Sequence, residues 1–144
     1  MDDKDRRILA CLEADARMGY AEIGNQVGLS GSSVHDRVRK LEQTGVIKGY
    51  RADLDREKIG LPITAIVSLA LSPTSPDDIP TLIAEFGLVE SCYSIAGDNS
   101  YALLVRAPST KALEELVDAL RAKLSVTTRT TIVLSTPFEG RPIR

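Results

Sequence analysis

Apolar residues recur at helical spacing before Gly45, and this pattern predicts three short helices in the N-terminal part of the chain. The first is predicted over residues 3–14, where acidic residues precede the apolar stripe and favour a helix N-terminus. The second is predicted over residues 20–27 and stops at Gly28. The third begins after Ser30, a strong capping residue, and ends just before Gly45. Two short helices joined by a tight turn that contains glycine are typical of a helix-turn-helix.

The third predicted helix separates an apolar face from a polar one. Val34, Val38 and Leu41 fall on one side and form the expected core stripe. The opposite side and its flanks carry short polar residues first and cations later: Ser32, Ser33, His35, Asp36, Arg37, Arg39, Lys40 and Gln43. A recognition helix needs this distribution, because its N-terminal side chains reach base edges while Arg and Lys hold phosphates. The pattern alone leaves a protein-interaction module open as an alternative.

A basic segment overlaps this helix and continues beyond it. From Val34 to Arg51 the chain carries five basic and two acidic residues, although the net charge of the whole chain is -2. Local charges that face a duplex decide phosphate binding, so a chain that is acidic overall can still bind DNA. Residues 46–52 have a strand-like pattern with Lys48 on it, and we predict that this strand serves as a wing.

The rest of the chain alternates between strand-like and helical patterns. Strands are predicted over residues 63–71, 88–96, 100–107 and 126–135, with helices starting at Ser75 and after Ser109. The resulting order, β-α-β-β-α-β, is the ferredoxin-like split βαβ arrangement. Both helices cover one face of such a sheet, so we expect the other face to pack against a second copy of the chain.

A series of short motifs runs through these elements. In chain order they are Asp5–Leu9, Asp15–Arg17, Leu29–Ser30, Val34, Arg37–Val38, Leu41–Glu42, Gly45–Ile47, Gly49–Tyr50, Gly97–Tyr101 and Thr131–Leu134. Their order and spacing over nearly the whole chain resemble the Lrp/AsnC family of transcription regulators, also called feast/famine regulators. The resemblance implies sequence-specific binding to double-stranded DNA, a small-molecule effector such as an amino acid, and homodimers that assemble further, four of them into an octamer.

The resemblance and the hydrophobic pattern together predict an α+β fold. Residues 1–55 are expected to form a winged helix-turn-helix, residues 56–62 a linker, and residues 63–144 a ferredoxin-like βαββαβ domain of the RAM type, for effector binding and oligomerisation. The residues expected to contact DNA are Ser30, Ser32, Ser33, His35, Asp36, Arg37, Arg39, Lys40, Gln43 and Lys48.

Effector binding is expected at the turn between the second and third predicted strands of this second domain. The residues that match the family's effector site are Gly97, Asp98, Asn99, Ser100, Tyr101 and Thr131. Many relatives carry an acidic residue where this chain has Ser100, so Asp98 is the only carboxylate of this loop. The residues by themselves favour a plain hairpin turn, and the effector role is what the resemblance implies.

Catalysis is the main alternative to regulation, because siroheme decarboxylases share this two-domain layout. Such an activity needs proton-handling residues in the second domain, whereas the sole histidine is His35 in the presumed recognition helix. We therefore predict no catalytic residue and no enzyme activity. Cys11 and Cys92 have no metal-ligand spacing, so neither a metal site nor a cofactor is expected.

The pattern of charged and apolar residues predicts neither a targeting segment nor a membrane segment. Acidic residues follow Met1 at once, unlike the start of a signal peptide. The longest uncharged stretch, residues 59–76, is interrupted by Pro, Ser and Thr, and therefore predicts a buried strand with turns. We expect a cytoplasmic protein.

Overall fold

The computed structural model describes residues 1–141 and divides the chain into two compact units. One unit consists of Met1–Asp53 with the described residues from Phe138 onward, and the other is Leu54–Pro137. Each unit has its own hydrophobic core. The domain and linker limits expected from the sequence stay a prediction.

The first unit contains the three predicted helices, α1 (Asp3–Ala14), α2 (Tyr20–Val27) and α3 (Gly31–Gln43). Its core is formed by two buried residues from each helix: Ile8, Leu12, Ile23, Val27, Val34 and Val38. Ser30 caps α3 as expected, because its Oγ accepts a hydrogen bond from the Ser33 N–H at 3.2 Å. The helix-turn-helix predicted from the sequence is therefore confirmed.

The turn between α2 and α3 depends on glycine at two positions. Gly28 adopts a left-handed conformation with φ 71°, and its N–H donates to the Gly24 carbonyl. The Leu29 N–H donates to the same carbonyl at 2.9 Å. A Cβ atom on Gly24 would lie 2.5 Å from the Leu29 carbonyl oxygen, so the backbone of the turn packs directly against this position.

The strand predicted over residues 46–52 is wrong, and with it the predicted wing. This segment is irregular: the Ile47 N–H donates to the Leu41 carbonyl at 3.0 Å, and Gly49 has φ 153°. All strands that pair in the described residues belong to the second unit, so this segment has no partner strand to bind its backbone groups. Tyr50 instead ties it to α3, because the hydroxyl donates to Glu42 Oε1 at 2.9 Å.

The second unit contains β1 (Ile63–Ala70), α4 (Ile79–Ile83), β2 (Val89–Ser94), β3 (Tyr101–Ala107), α5 (Thr110–Leu124) and β4 (Thr127–Ile132). The strands form one sheet in the order β2-β3-β1-β4, and every neighbouring pair is antiparallel. This order and topology confirm the ferredoxin-like βαββαβ arrangement and the α+β fold class.

The helices cover one face of this sheet. From β1 and β3, Ala65, Val67, Leu69, Leu103, Val105 and Ala107 point into the core, where they meet the buried face of α5. Ser109 caps α5, as the sequence predicted. The start predicted for α4 at Ser75 is wrong: Asp78 caps this helix, which begins at Ile79. The Ser75 hydroxyl is engaged elsewhere and donates to the Ser125 carbonyl at 3.0 Å.

The second face of the sheet carries two rows of laterally paired residues. One row is Tyr93, Ala102, Ser68 and Arg129, and the other is Ser91, Leu104, Ile66 and Thr131. Tyr93 is 55% exposed and Ile66 is 43% exposed. Large apolar side chains thus lie on a face that both helices leave open.

Candidate nucleic-acid interface and effector loop

The polar side of α3 is presented to solvent as the sequence predicted. Ser32, Ser33, His35, Asp36, Arg39, Lys40 and Gln43 are all exposed, whereas Val34, Val38 and Leu41 are buried. Burial of the apolar stripe against α1 and α2 fixes which side faces outward. The exposed side changes from short hydroxyl groups at its N-terminal end to cations in its later turns.

Three serine hydroxyls cluster at the N-terminal end of α3. The Ser30 Oγ donates to the Ser33 Oγ at 2.9 Å and lies 3.1 Å from the Ser32 Oγ. Ser30 is occupied by capping, while Ser32 and Ser33 keep exposed hydroxyls that can donate or accept. In a recognition helix, this end enters the major groove and reads base edges.

His35 and Asp36 lie next to each other on the exposed side. The His35 ring is 5.6 Å from the Tyr20 ring at an interplanar angle of 58°, and its Nδ1 lies 3.4 Å from Asp36 Oδ1. These contacts orient the imidazole between the start of α2 and the side of α3. Both side chains stay more than half exposed, so they remain accessible to a ligand.

Arg37 is placed differently from the other basic residues of α3. One of its terminal nitrogens, Nη1, donates to Asp2 Oδ2 and to Asp5 Oδ1, both at 2.7 Å. Sequence reasoning missed this contact, because the acidic residues are more than thirty positions away and belong to another helix. Arg39 and Lys40 have no ion pair within residues 1–141.

Lys48 lies on the irregular segment that follows α3. Together with neighbouring residues it lines a cavity of about 600 Å³ whose other wall is the C-terminal part of α1. Tyr50, in the same wall, has its pKa raised to about 12 by burial and by the hydrogen bond to Glu42. Lys48 is therefore exposed on an irregular segment and not on the predicted strand.

The predicted effector loop connects β2 and β3 and is anchored at its base. The Ile95 N–H donates to the Ser100 carbonyl at 3.0 Å, and the Ser100 N–H donates to the Leu69 carbonyl at 2.8 Å. Gly97 has φ 137°, which side chains other than that of glycine rarely permit. Asp98 is exposed, while Asn99 and Ser100 are half-buried.

The two remaining effector candidates are Tyr101, at the end of the loop, and Thr131, on β4. Tyr101 packs against the hydrophobic core, so its ring serves the fold. Thr131 pairs with Ile66 on the open face, whereas Leu69, which pairs with Tyr101, points to the helix-covered face. Thr131 is three residues along β4 from Thr128, the partner of Leu69, which corresponds to about 10 Å of strand. Within one chain, Thr131 is therefore not brought to the loop.

A charged network at the end of β3 was not predicted from the sequence. Arg106 is buried and donates to Glu90 and to the Thr64 Oγ1, and Arg56 Nη2 donates to Glu90 Oε1 at 2.6 Å. The Arg106 hydrogen bond and the nearby Arg56 charge hold the pKa of Glu90 below its usual value. Glu90 lies at a β-bulge, an irregularity that an alternating sequence pattern does not reveal.

Two kinds of feature are absent from the part of the chain that the structure describes. Within residues 1–141, no helix combines the length and the apolar character that crossing a membrane requires. In the same part of the chain, His, Cys, Asp and Glu side chains form no group of three or more that could hold a metal ion.

Comparisons with known proteins match both halves of the chain. Residues 1–42 match the AsnC-type helix-turn-helix domain, and residues 64–143 match the Lrp/AsnC ligand binding domain. The chain is 44% identical to the transcriptional regulator LrpA of Mycobacterium tuberculosis over 98% of its own length and 95% of that protein. It is 35% identical to LrpC of Bacillus subtilis, with 82% of each chain covered.

Solved structures give the same result for the fold. A feast or famine regulatory protein from M. tuberculosis, crystallised with L-methionine, superimposes with a TM-score of 0.94. It shares 43% sequence identity, and the match covers 99% of this chain and 97% of that one.

Proposed function

The chain belongs to the Lrp/AsnC family of transcription regulators, and we propose that it binds operator DNA through the exposed side of α3 and an amino acid at the Gly97–Tyr101 loop. It is a DNA-binding regulator that responds to a small molecule and not an enzyme. The exposure of the polar side of α3, above a buried apolar stripe, is the observation that carries the DNA part of this proposal.

The exposed residues of α3 divide into two roles by position. Ser32, Ser33 and Asp36 lie near its N-terminal end and read base edges, with His35 beside them. Arg39 and Lys40 lie further along α3 and neutralise phosphates. Gln43 and Lys48 extend the contact along the DNA backbone. Ser30 contributes by capping α3 and thereby holding its first turn in place.

The test of the DNA assignment is the salt dependence of binding. A short duplex selected by the wild-type protein from a random pool serves as the probe, and fluorescence anisotropy gives Kd over a series of salt concentrations. Arg39→Ala and Lys40→Ala each make the negative slope of log K against log salt shallower by roughly one unit. Lys111→Ala, on the exposed side of α5, is the matched control and leaves the slope unchanged. An unchanged slope in the Arg39→Ala, Lys40→Ala double variant would remove α3 from the interface.

The effector proposal combines the loop geometry with the relative that was crystallised with L-methionine. Asp98 is exposed and is the only carboxylate of the loop, so it pairs with the ammonium group of an amino acid. Gly97 leaves the backbone open to close approach, so that backbone N–H groups donate hydrogen bonds to the ligand carboxylate. Ser100, where many relatives carry an acid, changes which amino acid binds or how tightly.

Thermal-shift measurements with each of the twenty amino acids test the effector proposal. A ligand present at about 100 times its Kd stabilises the native state by roughly 2.7 kcal/mol and raises Tm by several degrees. Asp98→Asn abolishes the shift, whereas the control Asp77→Asn, an exposed acid elsewhere in the same unit, keeps it. If Asp98→Asn and wild type shift equally with the same amino acid, the ligand binds elsewhere.

Self-association completes the proposed function. The open face of the sheet, with Ile66 and Tyr93 exposed, packs against a second copy to form a homodimer, and four dimers form an octamer. In a homodimer, Thr131 of one chain and the loop of another can contribute to one effector site. The regulator works in the cytoplasm, where its DNA is located.

A further inference from the structure

Among the Arg and Lys residues of α3, Arg37 is the one that forms ion pairs within residues 1–141. Its Nη1 contacts Asp2 and Asp5 at 2.7 Å, and its side chain is 33% exposed. The Asp5 side chain is only 15% exposed, so this contact is partly sheltered from solvent. A sheltered, charge-assisted hydrogen bond has a defined geometry and is stronger than a fully exposed ion pair.

The two carboxylates are held by α1 as well as by Arg37. The Asp5 N–H donates to Asp2 Oδ1, and the Asp2 N–H donates to Asp5 Oδ2, both at 2.8 Å. Each carboxylate thus binds the backbone with one oxygen and Arg37 with the other. These backbone hydrogen bonds, followed by those from Arg37, hold the pKa of both carboxyls below its usual value.

We propose that Arg37 is a positioning residue for DNA recognition, which fixes α3 on the N-terminus of α1 and does not neutralise a DNA phosphate. The Asp2–Arg37–Asp5 cluster has a net negative charge and therefore repels phosphate. For Arg37 to reach the DNA it would have to leave two ionised carboxylates without their cation, which is costly.

The Arg37 contact differs in kind from the packing of the core between the helices. The core between the helices consists of apolar residues, and apolar contacts are not directional. The Arg37 cluster lies at the N-terminal end of α1 and adds directional hydrogen bonds between α1 and α3. It therefore fixes the angle at which the exposed side of α3 meets a duplex. This inference rests on the proposed function of α3.

The two roles of Arg37 predict opposite effects when the acids are neutralised. Asp2→Asn with Asp5→Asn keeps the side-chain oxygens that accept the backbone hydrogen bonds but removes two negative charges. If Arg37 contacts phosphate, this double variant frees it, so DNA binds more tightly and with a steeper salt dependence. If Arg37 positions α3, the double variant weakens binding to the selected duplex although it makes the protein more positive.

The experiment compares Arg37→Gln, Arg37→Lys and the double asparagine variant with wild type, all as full-length chains. The selected duplex and a random duplex of equal length are titrated over a salt series. We expect Arg37→Gln and the double variant each to lose about fivefold to tenfold in affinity for the selected duplex, with little change in salt slope. Arg37→Lys restores part of the loss. Lys40→Gln is the control and lowers the slope by about one.

A stability control separates positioning from a general loss of structure. Val27→Ala removes buried volume from the same core but touches neither α3's exposed side nor the cluster. At a temperature where circular dichroism shows both variants folded, Val27→Ala keeps the wild-type ratio of affinities for selected and random duplex, and Arg37→Gln lowers it. Equal ratios in the two variants would overturn the proposal.

The remaining outcomes are also decisive. A slope that falls by about one in Arg37→Gln, or tighter binding by the double asparagine variant, makes Arg37 a phosphate contact and overturns the proposal alone. If the wild-type chain binds no duplex, or if Arg39→Ala and Lys40→Ala leave binding and its salt slope unchanged, the proposed function of α3 fails as well.

Discussion

Among the glycines of the helix-turn-helix, Gly24 is the one at which an added Cβ would lie closest to another atom. In Gly24→Ala the added Cβ lies 2.5 Å from the Leu29 carbonyl oxygen and 3.4 Å from the Gly31 nitrogen. Non-bonded carbon and oxygen atoms ordinarily stay about 3.3 Å or more apart, so the Leu29 carbonyl must move by about 0.8 Å. This carbonyl belongs to the turn that leads into α3, so the shift moves the start of the recognition helix.

Two opposing effects set the size of the change in stability. Alanine favours a helical conformation over glycine by about 1 kcal/mol. Overpacking costs about 1–3 kcal/mol, and we expect the upper end because the atom in contact is backbone rather than a movable side chain. The net effect of Gly24→Ala is therefore a loss of about 2 kcal/mol in the free energy of unfolding.

Urea denaturation followed by circular dichroism measures this loss. Gly19→Ser is the matched control, because a Cβ at Gly19 meets nothing within 4 Å and the serine supplies a side-chain cap to α2. We expect the control to be neutral or slightly stabilised, and Gly24→Ala also to lose affinity for the selected duplex. If Gly24→Ala is as stable as wild type or gains stability, the close approach of α2 to the turn is not as described.

Three further predictions concern assembly, stability in acid and the spacing of operator half-sites. Ile66→Asp places a charge on the open sheet face and converts the assembly to monomers in light scattering, whereas Val46→Asp, in the first unit, leaves it intact. The lowered pKa values of Asp2 and Asp5 mean that the two ionised carboxylates stabilise the fold above about pH 4. This contribution is lost as the pH falls through the lowered pKa values. The urea midpoints of wild type and of the double asparagine variant therefore converge in acid. In selected operators, half-sites recur about 10 base pairs apart or at a multiple of that, and a scattered spacing would contradict two-fold binding.

The sequence predicts those parts of the fold that local chemistry determines. Ser30 and Ser109 cap α3 and α5 because a serine before an apolar stripe satisfies free N–H groups at a helix start. Gly28 ends α2 because glycine adopts the left-handed conformation without strain. The strand order followed from the alternation of elements, since few topologies suit βαββαβ.

The parts that the sequence did not predict depend on partners distant in the chain. Ser75 looks like a helix cap, yet its hydroxyl binds the Ser125 carbonyl, fifty residues away. Residues 46–52 have strand-like residues, but a strand forms only where a second one pairs with it. The hydrogen bonds from Arg37 to Asp2 and Asp5 could not be predicted from a helical projection, because the projection shows only the residues of α3.

In the proposed function, an amino acid at the Gly97–Tyr101 loop changes how the regulator binds DNA. The most direct test measures, at fixed salt, the affinity for the selected duplex and the assembly size with each of the twenty amino acids. We predict that at least one amino acid changes the DNA affinity or the assembly size of the wild type. Ser100→Asp alters which amino acid acts or the concentration at which it acts. Gly97→Val, which is strained at φ 137°, abolishes the response but retains DNA binding. An identical response to the same amino acid in wild type and both variants, or no response in wild type, would contradict the claim.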